Sequence, residues 1–359
     1  MTSPSQPRHR GDFEVAIICA LQSEVDAVEA LFDKSWNDDG EVYGKAAGDT
    51  NAYTTGVIGQ HNVVLAHMPG IGKKNAASVA SSFRSSFGNI KLALLVGICG
   101  GLPQGNDGEE ILLGDVIISD GLIEYDFGRQ YLDKFTRNDT LQDSLGKPNM
   151  EIRSLLLKLK GTKSRIRLRD NACHYLIELE QTLGVEKVQY PGIDADKLFD
   201  PTYRHKHHDF PDCTICTKCE NKDDEVCETA LRSSCSELKC NENKLVPRSR
   251  LSKAKETTVL PQPMIHYGLI ASGDTVMKSA EHRDAIATKD NVIAFEMEGA
   301  GVWENLPCVV VKGVCDYADS HKHKGWQNYA AATAAAYMKA FLREWVLADP
   351  YPYISNPGT

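Results

Sequence analysis

The sequence predicts an α/β fold, a three-layer αβα sandwich around a central mixed, mostly parallel sheet. Three observations carry this. Short, continuously apolar runs recur along the chain, as in sheets buried on both faces. Segments of helical periodicity alternate with them. The apolar runs also end in glycines or acidic residues, where an open α/β sheet places its ligands.

In chain order, "FEVAIICAL" reads as a buried strand and "SEVDAVEALF" as the helix after it. "NVVLAHM" is a second strand, followed by a helix over 73–87. "LALLVGI", "DVIISDGLI", "MIHYGLIAS", "VIAF" and "CVVVKGV" are further strands, and the Ala-rich "WQNYAAATAAAYMKAFLREWV" is the last strong helix. Residues 190–263 break the pattern. They are polar and rich in His and Cys, hold six of the 11 cysteines, and read as an insertion into one α/β domain spanning 12–346. Residues 1–11 read as a disordered lead-in and 347–359 as a tail.

Bulk properties exclude some function classes. A net charge of -9 argues against a general nucleic-acid or anionic-membrane surface. No apolar run approaches the roughly 18 residues of a membrane span. The opening "MTSPSQPRHRGDF" lacks the apolar stretch of a secretory signal. Reduced thiols and a cytoplasmic location are the expectation.

"AFEMEGAG", residues 294–301, poses a specific question. Two glutamates flank a methionine where an apolar run gives way to small residues, although Ser, Thr or Asp would serve a simple helix start better. Other strand ends are similar: "ALQSEV" places Glu24 in a first helical turn, and "MPGIGKK" places Gly70 and Gly72 before a helix. "VGICGGL" carries Gly97, Gly100 and Gly101, and "ASGD" and "VCDYAD" are acidic. Singly, each reads as a tight turn or a helix N-terminal charge. Gathered at one sheet edge, they read as a site.

The blocks "ALQSEV", "MPGIGKKNAA", "VGICGGL", "GDVIISD", "GLIASGD", "FEMEGAG" and "VCDYADSHK", in this order, resemble the purine nucleoside phosphorylase/uridine phosphorylase superfamily. Within it the chain resembles the methylthioadenosine/S-adenosylhomocysteine nucleosidase branch and its fungal, receptor-associated versions. The likeness covers about 13–129 and 265–341. It implies a nucleoside phosphorylase-like fold and cleavage of a purine N-glycosidic bond. Glu298 would grip the ribose hydroxyls, since one carboxylate accepts from two vicinal hydroxyls, and Met297 would pack on the sugar. Asp316 would be the acid at purine N7, with Asp319 nearby as a loop cap. Glu24 would position the attacking water. Glu296, Val276, Met277, Gly100, Gly72, Lys73 and Lys312 complete the expected substrate site. Val276 stands where the branch often has a stacking phenylalanine, and Lys312 where an arginine is common.

Phosphorylases of the superfamily hold phosphate with arginines. Here "ALQSEV" and Leu95 occupy those places and Ile98 replaces a serine. An oxygen-rich anion without an arginine is poorly held, so water is the expected nucleophile. Lys73, Lys74, Arg129, Lys278, His321, Lys322, His323 and Lys324 add positive charge near the strand ends and admit a nucleotide such as ATP. A phosphate-dependent phosphorylase and a non-catalytic nucleotide-binding signalling module stay open as alternatives. The resemblance implies no required cofactor, and a homo-oligomer.

The insertion contains Cys213-x2-Cys216-x2-Cys219 with Cys227, Cys235 and Cys240 beyond and His205, His207 and His208 before. Zinc takes four Cys or His ligands. Cys213, Cys216, Cys219 and Cys227 are the expected set for a structural ion, against the plainer reading of a solvated loop with free thiols.

Overall fold

A computed structural model of the protein describes residues 4–138, 140 and 144–346. The start of the lead-in (1–3) and the tail (347–359) lie outside the described residues. Residues 4–11 lie along the domain, with Pro7 buried and Ser5 accepting a hydrogen bond from Asn62 at 3.0 Å.

The strands are β1 (Val15–Cys19), β2 (Lys34–Ser35), β3 (Ala52–Ile58), β4 (His61–His67), β5 (Leu92–Gly101), β6 (Val116–Glu124), β7 (Gly128–Gln130), β8 (Phe135–Arg137), β9 (Ile265–Ser272), β10 (Val292–Glu296) and β11 (Cys308–Asp316). Nine form one sheet in the order β10-β9-β6-β11-β5-β1-β4-β3-β2, and β10 also pairs with β5. The cycle β5-β11-β6-β9-β10 is therefore a closed five-stranded barrel, with β1, β4, β3 and β2 as a wing. β1–β4, β1–β5, β5–β11, β6–β9 and β9–β10 are parallel. β2–β3, β3–β4, β5–β10 and β6–β11 are antiparallel. The sheet is mixed and mostly parallel, as expected; its closure into a barrel is an addition.

The helices are α1 (Gln22–Glu29), α2 (Lys73–Ser86), α3 (Met150–Leu159), α4 (Thr162–Leu183), α5 (Val185–Val188), α6 (Thr214–Lys218), α7 (Ser249–Thr257), α8 (Ala280–Asp290), α9 (Gly299–Trp303) and α10 (Gln327–Leu342). They flank the sheet on both faces. Val15, Ile17 and Cys19 of β1 share a core with α1, α3, α4 and α10. Ala16 and Ile18 share the opposite core with Ala76, Val79, Ala80 and Phe83 of α2. Alternate residues of a strand point to opposite faces, so a strand covered on both must be apolar throughout.

Residues 150–183 carry no assignment from sequence, and in the structure they form α3 and α4. Buried Leu168, Ala172, Tyr175 and Leu179 give α4 its apolar stripe. α10 is buried from Tyr329 to Leu342, as expected of a helix apolar all round. Its one cation, Lys339, reaches the Leu31 carbonyl at 3.0 Å, Asp33 at 2.8 Å and Glu178 at 3.1 Å.

α10 approaches β11 so closely that a Cβ on Gly313 would overlap the Ala330 carbonyl. Gly313→Ala is expected to lower stability by about 1–3 kcal/mol, the usual cost of overpacking. Denaturant unfolding checks this; an unchanged midpoint would show that the helix can retreat.

Candidate active site

The barrel closure brings the ends of three strands together. Ala294 and Phe295 of β10 pair with Gly101 and Gly100 of β5, while Asp316 of β11 pairs with Gly100 from the other side. Glycine is required here, because a Cβ on Gly100 would sit 2.9 Å from Ala318 Cβ and Asp316 Oδ1, and one on Gly101 2.7 Å from Val314. Over these ends opens a cavity of about 440 Å³ whose lining includes Glu24, Gly100, Met277, Met297, Glu298 and Asp316.

Glu24 stands in the first turn of α1 and is buried. Its Oε2 accepts from the Ala20 and Leu21 N–H groups at 2.9 Å each, and its Oε1 accepts from the Ile98 N–H at 2.9 Å. Three backbone donors, two from the turn between β1 and α1 and one from β5, thus converge on one carboxylate. Gly97 makes room for it, since a Cβ there would overlap Glu24 Oε1. Burial raises the Glu24 pKa; Lys312 opposes this, Glu298 reinforces it, and the carboxyl titrates above its ordinary 4.5.

The two glutamates of "FEMEG" divide their work. Glu296 accepts from the Glu298 N–H at 2.9 Å and from the Gly299 N–H at 2.8 Å, capping α9. Burial and the neighbouring Glu298 push its pKa up. Glu298 lines the cavity, takes the Gly72 N–H at 3.3 Å on Oε1, and pairs with Lys312 Nζ at 3.0 Å through Oε2. Gly72 reaches this place with φ +105°, a conformation side chains resist. Lys312 is 1% exposed. Burial works to lower its pKa, but Glu298, Glu24 and Glu296 outweigh that, so the ammonium titrates above its ordinary range.

Asp316 lies at the end of β11. Its Oδ1 accepts from the Ala318 N–H at 2.8 Å, and Lys322 Nζ stands 3.3 Å from its Oδ2. Asp319 turns away to accept the His321 N–H at 2.9 Å. Val276, Lys278, Lys322, His323 and Lys324 also line the cavity.

Several expected residues sit elsewhere. Lys73 is held by Glu124 and Asp126 at 2.5 Å each, so its ammonium is spent on structure. Lys312 and Gly72 support Glu298 rather than line the cavity; Glu296 does line it but spends its carboxylate on a helix cap. Lys74 and Arg129 are exposed, outside the cavity lining. In the insertion, Cys213, Cys216 and Cys227 gather with His207, their ligand atoms within 4.8 Å of one another. Cys219 is not among them; its thiol faces the Asp224 carbonyl at 3.9 Å. A turn-closing Cys with a His ahead of the motif is a signal the C-x2-C spacing alone does not rank.

A family model described as the Phosphorylase superfamily matches residues 14–170. That match takes in a little under half of the chain. The chain is 34% identical over 339 residues to a nucleotide-binding leucine-rich repeat (NLR)-like protein of Hyaloscypha variabilis, covering 92% of itself and 29% of that protein. It thus spans under a third of that relative's length. It is 22% identical to a 5'-methylthioadenosine/S-adenosylhomocysteine nucleosidase of Mycobacterium bovis over 296 residues, 81% of this chain and 84% of that one. Among solved structures, the futalosine hydrolase of Helicobacter pylori shares the fold, with a TM-score of 0.52 at 16% identity over 93% of this chain and 99% of that one. The 5'-methylthioadenosine/S-adenosylhomocysteine nucleosidase of Helicobacter pylori with butyl-thio-DADMe-Immucillin-A gives 0.53 at 15% identity, over 93% of this chain and 99% of that one.

Removing the buried cation should be costly. Lys312→Met leaves Glu298 without its partner and is expected to lose about 3–5 kcal/mol, with Glu298→Gln in the same chain restoring part of it. Denaturant midpoints of the two variants decide; a neutral Lys312→Met would show that the ammonium does not hold the carboxylate.

Proposed function

We propose that this chain hydrolyses the N-glycosidic bond of a purine nucleoside or nucleotide, with adenosine and ATP the foremost substrates. The observation that carries hydrolysis is the Glu24 carboxylate itself. The Ala20, Leu21 and Ile98 N–H groups would make an anion cradle, and Glu24 takes all three. A phosphate arriving there meets a carboxylate in place of those three donors, whereas neutral water can donate to it. The nucleosidases among the chain's relatives support the same reaction class.

In this reading Glu298 accepts the two ribose hydroxyls, held in aim by Lys312 and Gly72. Met297 packs on the sugar. Asp316 protonates purine N7 as the bond to C1′ breaks, so the base leaves neutral. Glu24 takes the proton from water as its oxygen bonds to C1′. The products are free base and ribose or ribose phosphate. Lys278, Lys322, His323 and Lys324 at the cavity wall favour phosphates on the sugar. Ile71, 46% exposed, and Val276, 47% exposed, sit at its mouth and support a second subunit closing over it, as a homo-oligomer would. The 34% identity to an NLR-like protein favours one other reading, a nucleotide-binding module without catalysis.

Adenosine, inosine, guanosine, AMP and ATP, each with and without phosphate, test the reaction by chromatography of free base. Release without phosphate is expected; release only with phosphate makes the chain a phosphorylase, and binding without release makes it a module. Asp316→Asn is expected to lower kcat about 10²–10⁴-fold, and full activity in that variant removes Asp316 from its role. The acid limb of kcat/KM is expected above pH 4.5, because Glu24 must be ionised to act and its pKa is raised. Activity then falls as pH drops through that raised value; a limb at or below 4.5 counts against Glu24 as the base.

A further inference from the structure

Outside the cavity, a second group of side chains converges. His205, Cys235 and Cys240 of the insertion meet His321 of the loop after β11, with all ligand atoms within 4.8 Å of one another. His205 Nδ1 and His321 Nδ1 are 3.3 Å apart. Cys235 Sγ is 3.8 Å and 3.4 Å from these two nitrogens, and Cys240 Sγ is 3.8 Å and 3.9 Å from them. A tetrahedral zinc with bonds of about 2.0–2.1 Å to nitrogen and about 2.3 Å to sulfur sets edges of about 3.3 Å between nitrogens and about 3.5 Å between nitrogen and sulfur. The observed separations are those edges, to within a few tenths of an ångström.

The outer hydrogen bonds point the same way. His205 Nε2 lies 2.9 Å from the Ser233 carbonyl, and His321 Nε2 3.1 Å from the Tyr203 carbonyl. A carbonyl only accepts, so both Nε2 atoms carry the hydrogen and both Nδ1 atoms face inward. Metal-ligating histidines are oriented in this way. Two imidazole nitrogens and two sulfurs converging on one point make a donor set that suits zinc. The His321 ring is fixed further by stacking on Phe199, with centroids 4.2 Å apart.

The insertion also needs staples. Its own cluster of buried apolar residues is only Cys216, Ala230 and Leu238, and a unit with so small a core usually relies on metals or disulfides. His207, Cys213, Cys216 and Cys227 form the first candidate, with Cys227 Sγ 3.4 Å from His207 Nδ1.

We propose that the insertion is a two-zinc module: one ion at His207, Cys213, Cys216 and Cys227 closes it on itself, and one at His205, Cys235, Cys240 and His321 clamps it to the active-site loop. His321 directly precedes Lys322, which pairs with Asp316, and Lys322 and His323 line both the reaction cavity and a second cavity of about 600 Å³ that Cys235 and His321 also line. The clamp therefore sets the position of the loop that carries the acid. This last link rests on the proposed reaction; the metal assignment does not.

Elemental analysis of the full chain, purified without chelator, is expected to give two zinc ions per chain. Cys235→Ser with Cys240→Ser should leave one, and Cys213→Ser with Cys216→Ser should leave the other. If a variant fails to fold, cobalt substitution of the unaltered chain decides, with two sets of tetrahedral thiolate bands expected. One zinc or none in the unaltered chain, or a Cys235–Cys240 disulfide found by mass spectrometry beside a single zinc, overturns the proposal. Loss of the bridging ion is expected to lower base release about tenfold or more. Two zinc ions with no base release from any nucleoside would leave the module standing and overturn the reaction; unchanged release after loss of that ion would overturn the clamp.

Discussion

The site is organised around one buried ammonium among three buried carboxylates. Lys312 projects from β11 inside the barrel wall, bonded to Glu298 and within the field of Glu24 and Glu296. One cation cannot balance three anions, and burying an unpaired charge is costly. The chain spreads the excess over backbone donors: three N–H groups for Glu24, those of Glu298 and Gly299 for Glu296, and that of Gly72 for Glu298. The balance remains negative, and burial raises both Glu24 and Glu296. A fixed negative basin suits the proposed chemistry, because the ribose ring becomes cationic as the base departs, and preorganised charge aimed at a developing charge is the strongest lever such a site has.

Barrel closure makes that basin possible, and the glycine-rich end of β5 makes the closure possible. By itself "VGICGG" reads as a tight turn. The structure gives each glycine a steric task instead: Gly97 admits the Glu24 carboxylate, Gly100 admits Asp316 and Ala318, and Gly101 admits Val314. The same glycines that let β10 turn back onto β5 let two of the candidate catalytic carboxylates approach one strand. Fold and site share one cause here.

This explains what was legible in the sequence and what was not. Strands covered on both faces announce themselves as apolar runs, so β1, β4, β5, β6, β9, β10 and β11 could be read directly. β3 could not, because its outer half, "AYTT", is only partly covered. α4 hid because its stripe of four buried apolar residues is diluted over 22 positions. At the site, Glu24, Glu298, Asp316 and Met297 stood out by position and do line one cavity. Lys73 and Lys312 were misplaced because a motif says which lysines are near and nothing about which carboxylates reach them first. The insertion was harder still. Cys219 fits C-x2-C spacing yet lies outside the set, and His321 is 116 residues from His205, a distance no local pattern spans.

The insertion is fastened to the barrel by buried polar contacts at its ends as well as at its middle. Near its start, Asp196 accepts from the Tyr317 hydroxyl at 2.8 Å and the Leu113 N–H at 3.0 Å. Near its end, Arg250 reaches Asp115 at 2.5 Å, and Asp115 also takes the Met264 N–H at 2.8 Å and pairs with His266 at 2.9 Å. Tyr317 follows Asp316 directly, and its carbonyl is held by Arg283 at 2.7 Å. The segment from Asp316 to His321 is thus tied to the insertion at both ends, through Asp196 and through the His205 tetrad. A loop gripped at Tyr317 and His321, four residues apart, has little freedom to re-aim the neighbouring Asp316 carboxylate. The insertion is built less as an appendage than as a wall of the second cavity, where Phe199 and Cys235 stand with Asp316 and Lys322.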